Sequence, residues 1–187
     1  MPDPGLLILM RHAAAANGGG YRDHDRPLTN QGTRDATAAG GWIRRTLPAV
    51  DAVLCSTAAR TRETLLATGV QAPVEFLDEL YGGAIDAIVD AIADAPAAAR
   101  TLLVIGHAPG IPAAAYDLAT TARLARADAD SYPTDTDRDP DDEPQSPVLQ
   151  RLRHFSACAL AVLTTDAPWT QIGERGAELT DVRHPSG

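Results

Sequence analysis

Three short apolar segments of this chain each end abruptly at polar residues whose side chains can take part in catalysis or ligand binding. They cover residues 5–10, 51–55 and 101–105, and an arginine, serine or histidine follows each within two positions. Apolar segments of this length are typical of strands that are buried on both faces of a sheet. Because helical patterns separate them, the sequence predicts an α/β fold. We expect a mostly parallel central sheet with helices on both faces, which is a three-layer sandwich.

The remaining elements follow from capping residues and from the spacing of apolar side chains. Thr29 can cap one helix, and Ser56 or Thr57 can cap the next. The predicted helices cover residues 31–46, 58–67, 85–92 and 112–124. The further predicted strands cover residues 74–77 and 157–163, with a short edge strand at 169–172.

The chain is long enough for one domain and apolar enough for a core. It has 187 residues, 44% of them hydrophobic, so residues 1–187 are predicted to form a single domain. No apolar segment approaches the about 20 residues that a membrane-spanning helix needs. We therefore expect a soluble, cytoplasmic protein without a membrane partner. The net charge of −9 argues against nucleic acid as a partner.

Much of that negative charge lies in one segment. Residues 128–147 hold eight acidic residues, one arginine and four prolines. Such a segment buries too little apolar surface to order itself, so we predict a mobile insertion. The simplest interpretation is a solvated insertion without a partner. The alternative is that its charge screens a basic site or selects a protein substrate by repulsion.

The chemistry lies where the predicted strands end. Arg11 and His12 follow the first strand, Arg60 lies in the first turn after the second, and His107 follows the third. Because the carboxyl ends of parallel strands meet at one edge of a sheet, these side chains can converge. Two guanidinium groups beside two imidazoles predict an anion as the ligand. One histidine could attack phosphorus while the other groups hold the oxygens, which is a complete phosphoryl-transfer site without a metal or cofactor.

The segments around these residues resemble the histidine phosphatase superfamily, also called the phosphoglycerate-mutase-like family. That family has the signatures R-H-G, S-P-x-x-R-x-x-x-T and G-H-x-P. The corresponding segments here are R-H-A at 11–13, S-T-A-A-R-T-R-E-T at 56–64 and G-H-A-P at 106–109. The D-R-P-L-T segment at 25–29, with Gly32, is similar to a segment of the small SixA-type phosphohistidine phosphatases. Within the superfamily, the SixA type is the closest resemblance.

This resemblance implies roles for the four strand-end residues. His12 would take the phosphoryl group as a covalent phosphohistidine, and water would then hydrolyse this intermediate. Arg11, Arg60 and His107 would bind the phosphoryl oxygens.

The resemblance also implies supporting roles nearby. Glu79 is the candidate general acid that protonates the leaving group, and the neighbouring Asp78 is the alternative. Arg26 would be an extra phosphate contact at the mouth of the site. The two acids Asp23 and Asp25 are expected only to pair with nearby arginines.

Two positions depart from the family signatures. Ala13 replaces the glycine after the histidine, and we expect its methyl group to crowd the phosphate-binding backbone without abolishing activity. Thr57 replaces the proline after the serine, which we expect to affect the start of the helix more than the chemistry.

The sequence thus predicts a metal-independent phosphatase that acts on a phosphohistidine protein or a small phosphomonoester. The alternative is a phosphate-binding regulatory module with weak or no turnover, for which Ala13 is the hint. A metallohydrolase that uses His12, His24 and His107 lacks the carboxylate–histidine spacing of such sites. Cys55 and Cys158 are predicted to be buried free thiols, because they lie in apolar segments without C-x-x-C spacing.

Overall fold

A computed structural model describes residues 4–17, 19–129 and 147–185. Its strands are β1 (Gly5–Arg11), β2 (Ala52–Ser56), β3 (Val74–Leu77), β4 (Thr101–Gly106), β5 (Leu160–Thr165) and β6 (Glu178–Arg183). Its α-helices are α1 (Asn30–Thr46), α2 (Ala59–Thr68), α3 (Ile85–Ala93), α4 (Gly110–Ala129), α5 (Pro147–Gln150) and α6 (Ile172–Arg175). Its 3-10 helices are Asp23–Asp25, Asp78–Tyr81, Arg151–His154 and Trp169–Gln171.

Across the described residues the strands form one sheet in the order β3-β2-β4-β1-β5-β6. The four strands from β3 to β1 run parallel to one another. At the other edge β5 pairs antiparallel with β1, and β6 pairs antiparallel with β5. The predicted mostly parallel α/β sheet is therefore confirmed, with an antiparallel edge added.

Both faces of the sheet are covered by helices, as predicted. Along β1, Ile8 and Met10 belong to an apolar cluster with residues of α1 and α2. The alternate residues Leu7 and Leu9 belong to a second cluster with residues of α3, α4 and α6. Successive side chains of a strand point to opposite faces, so a strand buried on both sides must be apolar throughout. This is why β1 is apolar from Gly5 to Met10 and carries a charged residue only at its last position, Arg11.

The predicted helix cap at Thr29 is confirmed, and the second predicted cap is wrong. Thr29 accepts a hydrogen bond from the backbone N–H of Gly32 at 2.9 Å. At α2 the capping position is Ala58, and no side chain there caps the helix. The hydroxyls of Ser56 and Thr57 instead contact His107 and Asp78. These two hydroxyls therefore bind side chains that the tertiary structure brings close, and not the backbone N–H groups at the start of α2.

The predicted edge strand at 169–172 is also wrong. This segment is the 3-10 helix Trp169–Gln171, which runs into α6. The indole of Trp169 is buried, and its Nε1–H donates to the carbonyl of Ala99 at 2.8 Å. The edge strand is β6, which the sequence analysis missed because few of its side chains are buried.

Most of the predicted acidic insertion, residues 130–146, lies outside the described residues. Its two ends belong to helices, because α4 continues to Ala129 and α5 begins at Pro147. Cys55 and Cys158 are buried free thiols, as predicted. In the part of the chain that the structure describes, no helix has both the length and the apolar character for crossing a membrane.

Gly40 provides a test of how closely α1 packs on α2. A Cβ at Gly40 would overlap the backbone of Thr68, which cannot move without disturbing α2. We expect Gly40→Ala to lower the free energy of unfolding in urea by about 2 kcal/mol, because overpacking in a core is costly. The matched control is Gly41→Ala, where the Cβ would meet only the end of the flexible Arg45 side chain. Since alanine favours helix by about 1 kcal/mol over glycine, equal destabilisation by the two substitutions would contradict this account.

Candidate active site

The carboxyl ends of β1, β2 and β4 open into one cavity of about 620 Å³. Arg11 ends β1 and His12 follows it; Arg60 lies in the first turn of α2 after β2; and His107 follows β4. All four residues line the cavity, so the structure brings them together as expected from the sequence. The other lining residues include Asp23, Arg26, Tyr81 and Asn17.

The backbone around His12 fixes which ring nitrogen carries the proton. Nδ1 of His12 lies 2.7 Å from the carbonyl oxygen of Ala13. A carbonyl can only accept a hydrogen bond, so Nδ1 donates and Nε2 keeps its lone pair. The backbone N–H of His12 donates to Gly106, and its carbonyl accepts from Cys158, each at 3.0 Å. β4 and the segment before β5 therefore hold the residue on both sides.

Arg60 is a charged side chain that is only 5% exposed. Its Nη1 donates to the backbone carbonyl of Asp23 at 2.7 Å, and its Nη2 lies 3.2 Å from the Asp23 carboxylate. Nη2 also lies 3.2 Å from Nδ1 of His107. Because a guanidinium only donates, Nδ1 of His107 accepts, and its Nε2–H donates to the hydroxyl of Ser56 at 2.9 Å.

Both imidazoles are held in the neutral state. The rings of His12 and His107 have centroids 5.1 Å apart. Burial, together with the positive charges of Arg60 and Arg11, lowers the pKa of His12 to about 4. Burial and the charge of Arg60 lower the pKa of His107 to about 3. A neutral His12 at neutral pH is a competent nucleophile.

Two buried guanidinium donors at the cavity find no partner among the described residues. These are the Nε–H groups of Arg11 and Arg60. The other end of Arg11 is occupied, since its Nη1 donates to the carbonyl of Phe155 at 2.9 Å. Buried donors without an acceptor are costly and rare. Charged donors of this kind suit an anionic ligand such as a phosphoryl group.

Arg26 lines the cavity, and it is held there by Asp23. Nε of Arg26 donates to Oδ1 of Asp23 at 2.9 Å, and Nη2 lies 2.8 Å from the same oxygen. The hydroxyl of Tyr81 donates to Oδ2 of Asp23 at 2.6 Å. This bond, with the charges of Arg26 and Arg60, lowers the pKa of Asp23 to about 2.

Asp23 and Tyr81 are cavity residues that the sequence does not single out. Asp23 was expected only to pair with a nearby arginine, and it also reaches Arg60 in α2. The ring of Tyr81 meets the ring of His107 edge-on at 5.5 Å. The one sequence feature that could have pointed to Asp23 is its position three residues before Arg26. That spacing is common for ion pairs and does not by itself indicate a functional site.

The structure does not bring Glu79 to the cavity that Arg11, Arg60 and the two histidines line. Glu79 is exposed, and it is not among the residues that line the cavity. The alternative acid Asp78 is exposed as well, and its Oδ1 accepts from the hydroxyl of Thr57 at 2.6 Å. From the 3-10 helix that carries both acids, Tyr81 is the residue that lines the cavity.

Ala13, which departs from the family signature, packs into the core. It is fully buried in the apolar cluster of Ile8 and Met10 and does not line the cavity. Its backbone N–H donates to the hydroxyl of Thr64 at 3.0 Å. The methyl group of Ala13 therefore packs in the core and not in the cavity. The carbonyl of Ala13 still accepts the hydrogen bond from Nδ1 of His12.

Within residues 4–17, 19–129 and 147–185, no group of three or more His, Cys, Asp or Glu side chains could hold a metal ion. His24, the third histidine of the metallohydrolase alternative, contacts Thr57 at 3.1 Å and Asp25 at 3.4 Å.

Known proteins share sequence and fold with this chain. The histidine phosphatase superfamily (branch 1) matches residues 7–85, which include Arg11, His12 and Arg60. A solved protein from Nakamurella multipartitia, to which the activity of the phosphohistidine phosphatase SixA is attributed, is 49% identical. The match covers 99% of this chain and 98% of that chain, with a TM-score of 0.86. The chain belongs to the histidine phosphatase superfamily.

As a member of this superfamily, the chain is a phosphatase. An uncharacterized protein of Mycobacterium tuberculosis is 47% identical over 129 residues, which are 67% of this chain and 82% of the relative. A protein histidine phosphatase SixA, solved in complex with tungstate, is 20% identical and has a TM-score of 0.68. That match covers 96% of this chain and 97% of the other, and it shows the same fold.

The neutral imidazoles can be tested by titration. Because both pKa values are lowered, to about 4 for His12 and about 3 for His107, neither ring should gain a proton between pH 7.5 and about pH 5.5. The measurement is the pH dependence of the imidazole C–H resonances by NMR, assigned with His12→Asn and His107→Asn. A midpoint near the ordinary value of about 6.5 for either ring would contradict the described environment.

Proposed function

We propose that this phosphatase works through a covalent phosphohistidine on His12. The observation that carries the proposal is the hydrogen bond from Nδ1 of His12 to the carbonyl of Ala13. It leaves the Nε2 lone pair available for attack in the same cavity as Arg11 and Arg60. Without that bond, either ring nitrogen could carry the proton.

In the first step, the Nε2 lone pair of His12 forms a bond to phosphorus while the bond to the leaving group breaks. The leaving group departs with the bonding electron pair. Arg11, Arg60 and His107 would hold the three equatorial oxygens, with His107 exchanging its Nε2–H bond to Ser56 for one to the substrate. The two guanidinium groups offset the negative charge of these oxygens. The bond from Nδ1–H to Ala13 also stabilises the positive charge that the phosphorylated ring acquires.

In the second step, a water molecule attacks phosphorus, the electron pair of the N–P bond returns to Nε2, and both protons of the water stay on the phosphate. Inorganic phosphate is then released and His12 is neutral again. The first step needs an imidazole that is unprotonated on Nε2, and the lowered pKa of His12 supports this at neutral pH. The proposal needs no metal ion, because the positive charge that offsets the phosphoryl oxygens comes from two arginines.

The proposed substrates are a phosphorylated histidine on a protein or a small phosphomonoester. The similarity to the Nakamurella multipartitia protein supports the first class. The tungstate complex of a SixA protein with this fold supports binding of a tetrahedral oxyanion. Arg26 is proposed as an additional contact at the mouth, where it would exchange its bond with Asp23 for one with the substrate. Glu79 would reach a leaving group only if that group extended beyond the cavity.

A substitution at His12 tests the mechanism directly. We expect His12→Ala to lower turnover of phosphohistidine and of an aryl phosphate by at least about a thousandfold, because the nucleophile is lost. The assay is run in chelator, and intact-mass spectrometry of the wild type after rapid quenching should show a single phosphoryl adduct.

The matched control is His154→Gln, at an exposed histidine outside the cavity, which should keep both turnover and adduct. Near-normal turnover by His12→Ala would overturn the covalent mechanism. Phosphate binding by the wild type without any turnover or adduct would favour the alternative of a phosphate-binding module. Loss of wild-type activity in chelator, with recovery on adding a metal ion, would contradict the metal-independent step.

A further inference from the structure

Asp23 is the one carboxylate among the described residues that line the cavity. It joins two of the cavity arginines, since Oδ1 lies 2.8 Å from Arg26 and Oδ2 lies 3.2 Å from Arg60. Its backbone carbonyl binds Arg60 as well, at 2.7 Å. Asp23 thus places a negative charge directly against the guanidinium that would hold the phosphoryl oxygens.

This carboxylate accepts hydrogen bonds and cannot supply a proton at neutral pH. Its two oxygens already receive donors from Tyr81, Arg26 and Arg60. These donors keep its pKa at about 2. A general acid must instead be protonated near the working pH. The role that the geometry assigns to Asp23 is therefore electrostatic.

We propose that Asp23 is a specificity-determining residue, whose negative charge favours substrates that carry the phosphoryl group on a protonated nitrogen over phosphate monoesters. The inference rests on the proposed function, because it concerns the leaving group in the first step. It adds a residue that selects among phosphorylated compounds at the same site.

A nitrogen leaving group suits this environment. In phosphoramidate at neutral pH, the nitrogen carries three protons and a positive charge. When the Nε2 lone pair of His12 forms its bond to phosphorus, the P–N bond breaks and its electron pair stays on nitrogen. Ammonia then leaves as a neutral molecule without receiving a proton from the protein. The Asp23 carboxylate stabilises the protonated nitrogen that this step requires.

An oxygen leaving group does not suit the environment that Asp23 creates. When the P–O bond of a monoester breaks, the oxygen takes the electron pair and becomes negative unless a proton arrives. The hydroxyl of Tyr81 is committed to Asp23, and no protonated carboxyl lies among the described lining residues. The developing negative charge would also be repelled by the negative charge of Asp23. Phosphate monoesters should therefore react more slowly than phosphoramidate. Among monoesters, the rate should fall as the leaving group becomes more basic.

The expected size of the effect follows from Coulomb's law. The Asp23 carboxylate lies 3.2 Å from the Arg60 guanidinium. A phosphoryl group held by another donor of that guanidinium would place its leaving atom about 6 to 8 Å from the carboxylate. At the effective dielectric constant of about 20 near a protein surface, one charge at that distance changes a rate ratio about tenfold to a hundredfold.

The test compares kcat/KM for phosphoramidate and for phenyl phosphate in the wild type, Asp23→Asn and Asp23→Ala. We expect both substitutions to lower the ratio of phosphoramidate to phenyl phosphate by at least about tenfold. The side chain of Asp23 is 57% exposed, so both variants should fold, and circular dichroism checks this. The matched control is Asp25→Asn, which removes an equal charge from the same 3-10 helix at a side chain that does not line the cavity.

An unchanged ratio in both Asp23 variants would overturn the proposal, even if activity with the two substrates fell together. An equal drop of the ratio in Asp25→Asn would also overturn it, because the effect would then come from net charge and not from the cavity. These outcomes are independent of the covalent mechanism. If His12→Ala remained active, the phosphohistidine intermediate would fail while the ratio still reported on Asp23.

Discussion

The buried guanidinium of Arg60 is the group around which the cavity is arranged. A charge that is removed from water needs compensating partners, since an unpaired buried charge is strongly destabilising. Asp23 supplies a carbonyl and a carboxylate, and His107 supplies a ring nitrogen. The same contacts bring the 3-10 helix Asp23–Asp25 against the carboxyl edge of the sheet. They also fix the tautomer of His107.

The positive charge of the arginines also sets the state of the two histidines. Because the rings are buried near Arg60 and Arg11, adding a proton to either is unfavourable, which lowers both pKa values. The site therefore presents neutral imidazoles to an anionic ligand and leaves charge compensation to arginine, whose charge does not depend on pH. In the proposed mechanism, the nucleophile and the electrostatic clamp are thus separate residues.

A second set of contacts ties the two 3-10 helices at the cavity mouth together. Thr57, which stands where the family signature has proline, donates to Asp78 and contacts His24. His24 in turn meets the ring of Tyr81 edge-on at 5.3 Å. The departure from the signature therefore provides a hydrogen bond that proline could not make. It links the helix that carries Asp23 to the helix that carries Tyr81.

The sequence determined the parallel part of the sheet and the residues at its carboxyl edge. The segment before Arg11 and His12 is apolar throughout because β1 is buried on both faces, and its polar continuation can lie only at the edge of the sheet. The tertiary structure alone decided which acid joins these residues. Asp23 meets Arg60 across 37 positions and Tyr81 across 58, whereas Glu79 stays exposed. Loop residues have no periodic pattern that reveals which way they face, so pairing at such separations depends on how the packed helices bring the loops together.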